Sequence, residues 1–390
     1  MYSDHQWLWQ HSDWPVFVYD HASIAASIAS AKHGQGVLLG KASAIGLEGL
    51  QSNVVDALTR EAVTTSTIEG ETLNPQSVRS SIAKRLGLDV HGAAAADQHI
   101  EGLVDVLQDA STRLDEPLTL ARLCAWHGAL FPTGYSGMQK IKVAALRSSA
   151  MQIVSGPVGK NKIHFQAPPA QSLAESTQGF VDWFNASHPK TGTTPLDGIV
   201  RASISHLWFE TLHPFDDGNG RIGRAILQLA IGQDMGASGR IISLSRQLER
   251  QRKNYYQQLE QAQSATSMDI TPWLIWMIGQ IGQACDFAAL SVDISLERIR
   301  FLAKISQVTL NPRQRKSLTK LLEAGPVGFD GAMTTRKHAS LCKTSKPSAA
   351  RDLIEMASAG VVLSVGAGRS TRYYLAIEGW GELPNAEKTV

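Results

Sequence analysis

Apolar residues recur at helical spacing along most of the chain, and the places where that spacing fails mark out its elements. The pattern predicts helices near 21–32, from about Gln51 to Ile68, over 77–86, over 97–112 and over 118–131, the last capped near Asp115. Glycines at 34, 36, 40, 46 and 49 are expected to separate the first two. Two β-prone runs around a Gly-Pro…Gly-Lys-Asn turn interrupt the pattern across 147–166, and Pro168-Pro169 leads into a helix over 170–187. An apolar helical run (Ile199, Ala202, Ile204, Leu207, Trp208, Phe209) stops at His213-Pro214, because proline lacks an N–H and fixes φ; a second apolar run starts at Ile222. Beyond it, helices are expected around Tyr255-Tyr256, from Asp269-Ile-Thr-Pro-Trp273 and over 285–306. From about Asn311 the chain reads as helices 312–324, 334–342 and 346–359, then strands 361–365 and 371–375, an arrangement that looks like a winged helix.

Composition changes this picture little. A chain of 390 residues, 43% apolar and 18% charged, is globular and long enough for two or three domains. The N-terminus has no basic region followed by an apolar core, and no run of eighteen apolar residues occurs, which argues against export and against a membrane span. Cys124, Cys285 and Cys342 are far apart and lack metal-ligand spacing, so they read as reduced thiols of a cytoplasmic protein without structural zinc. The Trp-rich segment 7–19, ending in the β-prone run Val16-Phe17-Val18-Tyr19, reads as core packing, with a substrate-side surface as the alternative. Net charge is +2, yet residues 301–377 hold twelve Lys/Arg against four Asp/Glu, which puts any basic function at the C-terminal end.

The candidate chemistry is concentrated in the turn between the two central apolar runs. Gly218 and Gly220 allow close approach of an anion, and the Gly218-Asn219-Gly220 amides fall at a helix N-terminus, where unpaired N–H groups and the dipole attract negative charge. Arg221 and Arg224 place two guanidinium forks at i and i+3. Asp217 is a hard carboxylate suited to Mg²⁺ bridging phosphates, and His213 has the residue type of a neutral general base at physiological pH. A calcium loop does not fit, since Ile222 stands where glycine is wanted and Gln228 where glutamate is needed; the Gly-x-x-x-x-Gly-Lys of a P-loop is missing too.

His213-Pro-Phe-Asp-Asp-Gly-Asn-Gly-Arg-Ile-Gly-Arg224 resembles the complete signature of the Fic family of nucleotidyl transferases. Upstream, Thr65-x-x-x-Glu69-Gly70 resembles that family's inhibitory motif, in the subclass that carries it on a helix preceding the catalytic motif; on composition alone Glu69 would be a solvated carboxylate near a helix end. The resemblance covers roughly Thr65 to Gln283 and implies a Fic helical bundle with a β-hairpin flap; with the winged-helix-like unit read from the pattern beyond it, the fold is expected to be mainly α. Implied domains are an N-terminal extension with the inhibitory helix (1–96), a catalytic core (97–284), a linker helix (285–310) and the C-terminal domain (311–390).

The activity implied is protein adenylylation, transfer of AMP from ATP to a Ser, Thr or Tyr hydroxyl. His213 would be the base and Asp217 the Mg²⁺ ligand. Gly218, Asn219, Gly220, Arg221 and Arg224 would hold the phosphates, Tyr255 and Tyr256 would contribute to the nucleotide pocket, and Glu69 would inhibit by occupying Arg224. The protein substrate would be held by the 147–166 flap as an added strand, with self-modification open to the same chemistry. Trp126 and His127 read as core. Alternatives are removal of AMP or another nucleotide transfer at the same site, or a nucleotide-sensing DNA-binding regulator. The basic C-terminal unit could serve DNA contact, dimerisation to a homodimer, or target docking.

Overall fold

The computed structural model describes residues 7–88, 97–155, 162–329 and 331–380. The expected loop at 92–96 and the turn of the hairpin at 156–161 lie outside the described residues. The fold is mainly α. Two compact units are present, 1–289 and 290–390, and the division falls within one long helix.

The first unit opens with a single 3₁₀ turn at Leu8–Gln10, followed by α1 (His21–Ala44), α2 (Gly46–Ile68), α3 (Pro75–Arg85), α4 (Gln98–Thr112) and α5 (Leu120–Leu130). Helix α1 is twice as long as the glycine pattern predicts. Gly34 is a contact point: a Cβ there would meet Asp286 Oδ1 at 3.1 Å, Cys285 Cβ at 3.5 Å and the Gly282 carbonyl at 3.5 Å, so the glycine lets α1 lie close to the last helix of the unit. Packing overrides the modest intrinsic cost of glycine in a helix, on the order of 1 kcal/mol. Helix α5 also begins later than expected, because Thr119, not Asp115, is its cap and accepts the Arg122 N–H at 3.0 Å. The Val16–Tyr19 run forms no strand beyond a bridge between Val18 and Asp269.

Next come a two-residue ribbon, β1 (Tyr135–Ser136) with β2 (Gln139–Lys140), and the flap hairpin, β3 (Gln152–Ser155) with β4 (Lys162–Gln166). In the flap Ile153 pairs with Phe165 and Val154 with Ile163, with a bulge between them. Trp7 packs edge-on against Phe165 at 5.4 Å, and Trp9 Nε1 donates to the Gln166 carbonyl at 2.7 Å, so the Trp-rich opening braces the flap.

Helices α6 (Leu173–Ala186), α7 (Gly198–Leu212), α8 (Asn219–Met235), α9 (Leu244–Arg250), α10 (Arg252–Gln263) and the part of α11 (Thr271–Lys304) up to residue 289 complete the unit. Every residue of α7 is buried. A helix buried on every side, its polar residues Arg201, His206 and Glu210 included, belongs at the centre of a bundle, and α7 and α8 form the most extensive helix pair of the fold. Helix α11 is continuous from Thr271 to Lys304, where the sequence pattern suggests a separate helix at 285–306.

The second unit contains α12 (Pro312–Ala324), α13 (Thr335–Cys342), α14 (Lys346–Ser358) and the antiparallel hairpin β5 (Val362–Val365) and β6 (Arg372–Leu375), all within a residue or two of their predicted places. Leu318, Leu321, Leu353, Met356 and Tyr373 build its core. Ser317, His338 and Asp352 are linked in series there, His338 Nδ1 lying 2.5 Å from the Ser317 hydroxyl and Nε2 3.1 Å from Asp352. All three are buried, and Arg313 adds its guanidinium to Asp352. The connectivity of a catalytic triad is thus used to hold α12, α13 and α14 together. No helix among the described residues is long and apolar enough to cross a membrane.

Candidate active site

His213 closes α7. Its N–H still bonds to Phe209 at 3.0 Å, but its backbone turns into the left-handed region at φ +46°, which throws the chain across to α8. The Asn219 side chain fastens the returning loop: Oδ1 accepts the Phe215 N–H at 2.9 Å and Nδ2 donates to the Phe215 carbonyl at 2.8 Å. The Asn219 side chain is therefore turned inward and buried, which leaves its backbone amide as the group it can offer an anion. Gly218 caps α8 at φ +75°, and a Cβ at that position would stand 2.8 Å from the Phe131 ring. The glycine is required on both counts.

Burial pushes the His213 imidazole down to about 4, with the Glu210 carbonyl and the Glu69 and Asp217 carboxylates only partly opposing it, so the ring is neutral at physiological pH. Asp217 sits on the rim of the α8 N-terminus. Its Oδ1 accepts the Gly218 N–H at 2.5 Å, and its Oδ2 accepts the hydroxyl of Ser136 from the β1–β2 ribbon.

The two arginines are buried and each faces an acid from the end of α2. Arg224 Nη2 donates to Glu69 Oε1 at 2.7 Å and to the Thr65 carbonyl at 3.1 Å, while Nε donates to Thr65 Oγ1 at 2.7 Å. Burial opposes the charge on Arg224, but Glu69, Tyr255 and Glu210 overcompensate and hold its pKa above the usual arginine range. Arg221 Nη1 contacts both oxygens of Glu71, at 3.2 and 3.1 Å, and its guanidinium lies 5.0 Å over the Phe131 ring.

One local motif delivers both acids. Gly70 takes φ +84°, its N–H returns to the Thr67 carbonyl at 3.0 Å and the Glu71 N–H returns to the Ser66 carbonyl at 2.9 Å. These are the two bonds of a Schellman closure, and they set Glu69 and Glu71 on either side of the turn facing α8. Gly220 has no Cβ to spare for this approach, since one would lie 2.3 Å from Glu69 Oε1. Two turns earlier Glu61, fully buried, accepts the Ser243 hydroxyl at 2.9 Å and the Ser245 N–H at 2.9 Å, anchoring α2 to the start of α9.

The tyrosine pair divides. Tyr255 is buried with its hydroxyl 2.9 Å from His206 Nε2, so it packs the core beneath the site rather than lining an open pocket. Tyr256 is 43% exposed and stands beside the end of α2, its hydroxyl 3.4 Å from the Ile68 carbonyl. His127 is buried as expected and stacks on Phe215 at 4.4 Å, which supports the turn from His213 to Asn219.

Sequence reasoning passes over three groups at this site. Glu71 carries a signal in its place just after the Gly70 stop. Glu210, one turn before His213, carries none; it is buried, its Oε1 has no hydrogen-bond partner among the described residues, and burial raises it to about 8, so it is protonated at neutral pH. Arg147, at the base of the flap, reads like any other basic residue.

Residues 7–88 match the family model described as a domain of unknown function, DUF4172, and residues 117–231 match the Fic/DOC family model. A probable protein adenylyltransferase of Aquifex aeolicus is 31% identical over 102 residues, 26% of this chain and 24% of that protein. A protein adenylyltransferase of Caenorhabditis elegans is 40% identical over 57 residues, 15% of this chain and 10% of that protein. The chain thus spans at most about a quarter of the length of these curated relatives. Among solved structures, a Fic family protein from Desulfovibrio desulfuricans gives a TM-score of 0.49 at 18% identity, covering 90% of this chain and 95% of that one. The Fic-1 fragment from Caenorhabditis elegans gives 0.48 at 17%, covering 70% and 73%.

Proposed function

We propose, from the premise that this chain belongs to the Fic family, that it is a protein adenylyltransferase held in an inhibited state by the end of its own helix α2. The observation that carries the reading is the placement of a neutral His213 at the mouth of a helix N-terminus walled by two buried guanidinium groups, Arg221 and Arg224. A base that need not lose a proton first, next to a preorganised polyanion site, suits attack of a hydroxyl on a phosphate.

In the proposed reaction the acceptor oxygen attacks the α-phosphorus of ATP and its proton passes to His213. The bond from the α-phosphorus to the bridging oxygen of pyrophosphate breaks. The α8 amides and Arg221 stabilise the phosphate charge, and Arg224 orients the γ-phosphate. Asp217 fits Mg²⁺, a hard ion commonly held by one or two carboxylates together with substrate phosphates. Bound there, Mg²⁺ would supply neutralisation of the phosphate oxygens. The exposed flap residues Ile153, Val154 and Ile163 suit an added strand from a protein substrate, or from the chain itself in self-modification. We assign residues 97–284 to this catalytic role and 311–390 to an accessory one, in a cytoplasmic protein. Exposed Lys346 and Arg351 on α14 and Arg372 on β6 make DNA phosphates one candidate ligand for the accessory part, with homodimerisation as the competing role.

With Glu69 on Arg224, ATP would bind only in a non-productive pose. The test is incubation of wild-type and Glu69→Gly protein with MgATP labelled at the α-phosphate, followed by mass spectrometry of the protein itself and of lysate proteins for an AMP adduct. Adducts that require His213 support the reading. No adduct from either form, or an adduct formed equally by the His213→Ala variant, would overturn it.

A further inference from the structure

Arg147 precedes the flap and is 2% exposed. Its backbone N–H donates to the Pro214 carbonyl at 2.9 Å. Its side chain donates from Nε to the His213 carbonyl at 2.8 Å, and from Nη2 to the Leu212 carbonyl at 3.5 Å and the Pro168 carbonyl at 2.6 Å. Nη1 donates to the Ser149 carbonyl at 2.8 Å. One planar group therefore gathers carbonyls from three segments: the catalytic turn, the lead-in to β3 and the run-out from β4.

Ion pairing does not account for a buried cation here, because the hydrogen-bond partners of the guanidinium among the described residues are main-chain carbonyls. What it supplies is geometry. Arginine offers five N–H donors in a fixed fork, whereas lysine offers three on a single point charge that cannot span the same carbonyls. Leu212 and His213 are where the chain leaves α7 through a left-handed residue, so these carbonyls have left the helical ladder and need donors from elsewhere. The flap, for its part, is a two-stranded hairpin, which has little stability alone and must be fixed at its base.

We propose that Arg147 is a positioning residue for group transfer, locking both ends of the flap to the backbone of His213 so that a hydroxyl held on the flap arrives at the imidazole in register. This rests on the adenylyl-transfer reading. It assigns no contact between Arg147 and substrate; its action passes through the flap and through His213. A misplacement of about 1 Å between reacting groups can cost on the order of 10²-fold in rate.

The experiment compares Arg147→Ala and Arg147→Lys in the Glu69→Gly background. It measures the single-turnover rate of automodification, affinity for a non-hydrolysable ATP analogue, and hydrogen exchange of amides in 152–155, 162–166 and α8. Expected are nucleotide affinity within about threefold of the parent, transfer slowed by on the order of 10²-fold in both variants, and partial recovery of the alanine variant by millimolar methylguanidinium. Exchange should quicken in the flap strands while α8 keeps its protection. An alanine variant transferring within about threefold of the parent, or one that loses α8 protection together with the flap, would overturn the assignment. Should the alanine variant fail to fold, the lysine variant carries the same readings. Should the parent transfer no AMP, the adenylyl reading fails first, and flap exchange decides on Arg147 separately: selective loss supports it and retained protection refutes it.

Discussion

Replacing Glu69 by glycine removes one carboxylate from a buried guanidinium and leaves the rest of its bonds. Arg224 would keep Thr65 Oγ1 at 2.7 Å and the Thr65 carbonyl at 3.1 Å, so it would not be orphaned, but its one ion pair among the described residues would be gone. A hydrogen bond to a charged group is worth about 1.5–3 kcal/mol. Because the Glu69 side chain is 29% exposed, the lower half of that range applies. A γ-phosphate that no longer has to displace the acid should then bind about 10–45-fold more tightly. Gly70 already makes the turn and Glu69 lies at the helix end, so glycine there should not unravel α2.

Opposite signs with and without nucleotide make the test specific. Without nucleotide the variant buries an arginine with no acid partner and should melt a few degrees below wild type. MgATP should raise its melting temperature more than that of wild type, and automodification should increase. Titration calorimetry with a non-hydrolysable analogue and a melting series with and without MgATP read both effects. Adding Arg224→Ala should cancel the gain, since the contested group is then absent. Affinity within about twofold of wild type, or unchanged automodification, would mean that residues 65–70 merely pack against α8 and do not compete with phosphate.

Other expectations follow from the same geometry. Glu71→Gln should tighten nucleotide binding by less than about fivefold, because the Glu71 side chain is 50% exposed and a pair of that kind is worth about 0–1 kcal/mol; a gain equal to that of Glu69→Gly would show that Arg221 is the principal contested group. His213→Ala should abolish transfer while sparing analogue binding, and wild-type transfer in that variant would sink the mechanism. The acid limb of kcat/KM should fall near pH 4 rather than 6.5, since burial lowers the His213 pKa and the base stays neutral down to about 4. Stability has its own acid limb. Burial lowers His127, His206 and His213 to about 4, 3 and 4, so below about pH 6.5 the unfolded chain binds more protons than the folded one; their contribution is complete above that pH and is lost as pH falls towards 4. A melting temperature that rose between pH 6.5 and 5 would contradict this assignment of buried neutral rings.

Much of the site was legible because its residue types sit close together in sequence, where turn chemistry and helix ends constrain geometry. Gly218 and Gly220, the α8 N-terminus and the stop at His213 could be placed from local rules alone. Glu69 could be named a partner for Arg224 only through resemblance, since 155 residues separate the two and spacing carries no information at that range. Glu71 was within reach of local reasoning: a Schellman closure at Gly70 turns the following residue back over the last helical turn. Tyr255 shows the opposite failure. Its partner His206 lies 49 residues away on α7, and nothing in Tyr255-Tyr256 tells which ring points into the core. The fold was misread where packing outweighed propensity, as at Gly34, a helix breaker by rule and a helix contact in fact.

The N-terminal segment acquires its role from these long-range contacts. Residues 7–88, which match a domain of unknown function, touch the site at two places. At one end Trp7 and Trp9 brace the flap strand β4; at the other Thr65, Glu69 and Glu71 occupy the two arginines of the cradle. Between them Lys32 on α1 bridges Asp197, which caps α7, and Asp234 near the end of α8, at 3.1 and 3.0 Å. The segment thus contacts the flap, both central helices and both guanidinium groups. Any movement that withdraws the end of α2 must break the Glu69 pair, the Glu71 pair and the Glu61 anchor on α9 together, so release should be cooperative. Glu69→Gly combined with Glu71→Gln should accordingly depart from additivity in nucleotide affinity, because the first substitution already frees the turn that positions the second acid. A double-mutant cycle with no coupling energy would instead mean that the two acids act as independent plugs.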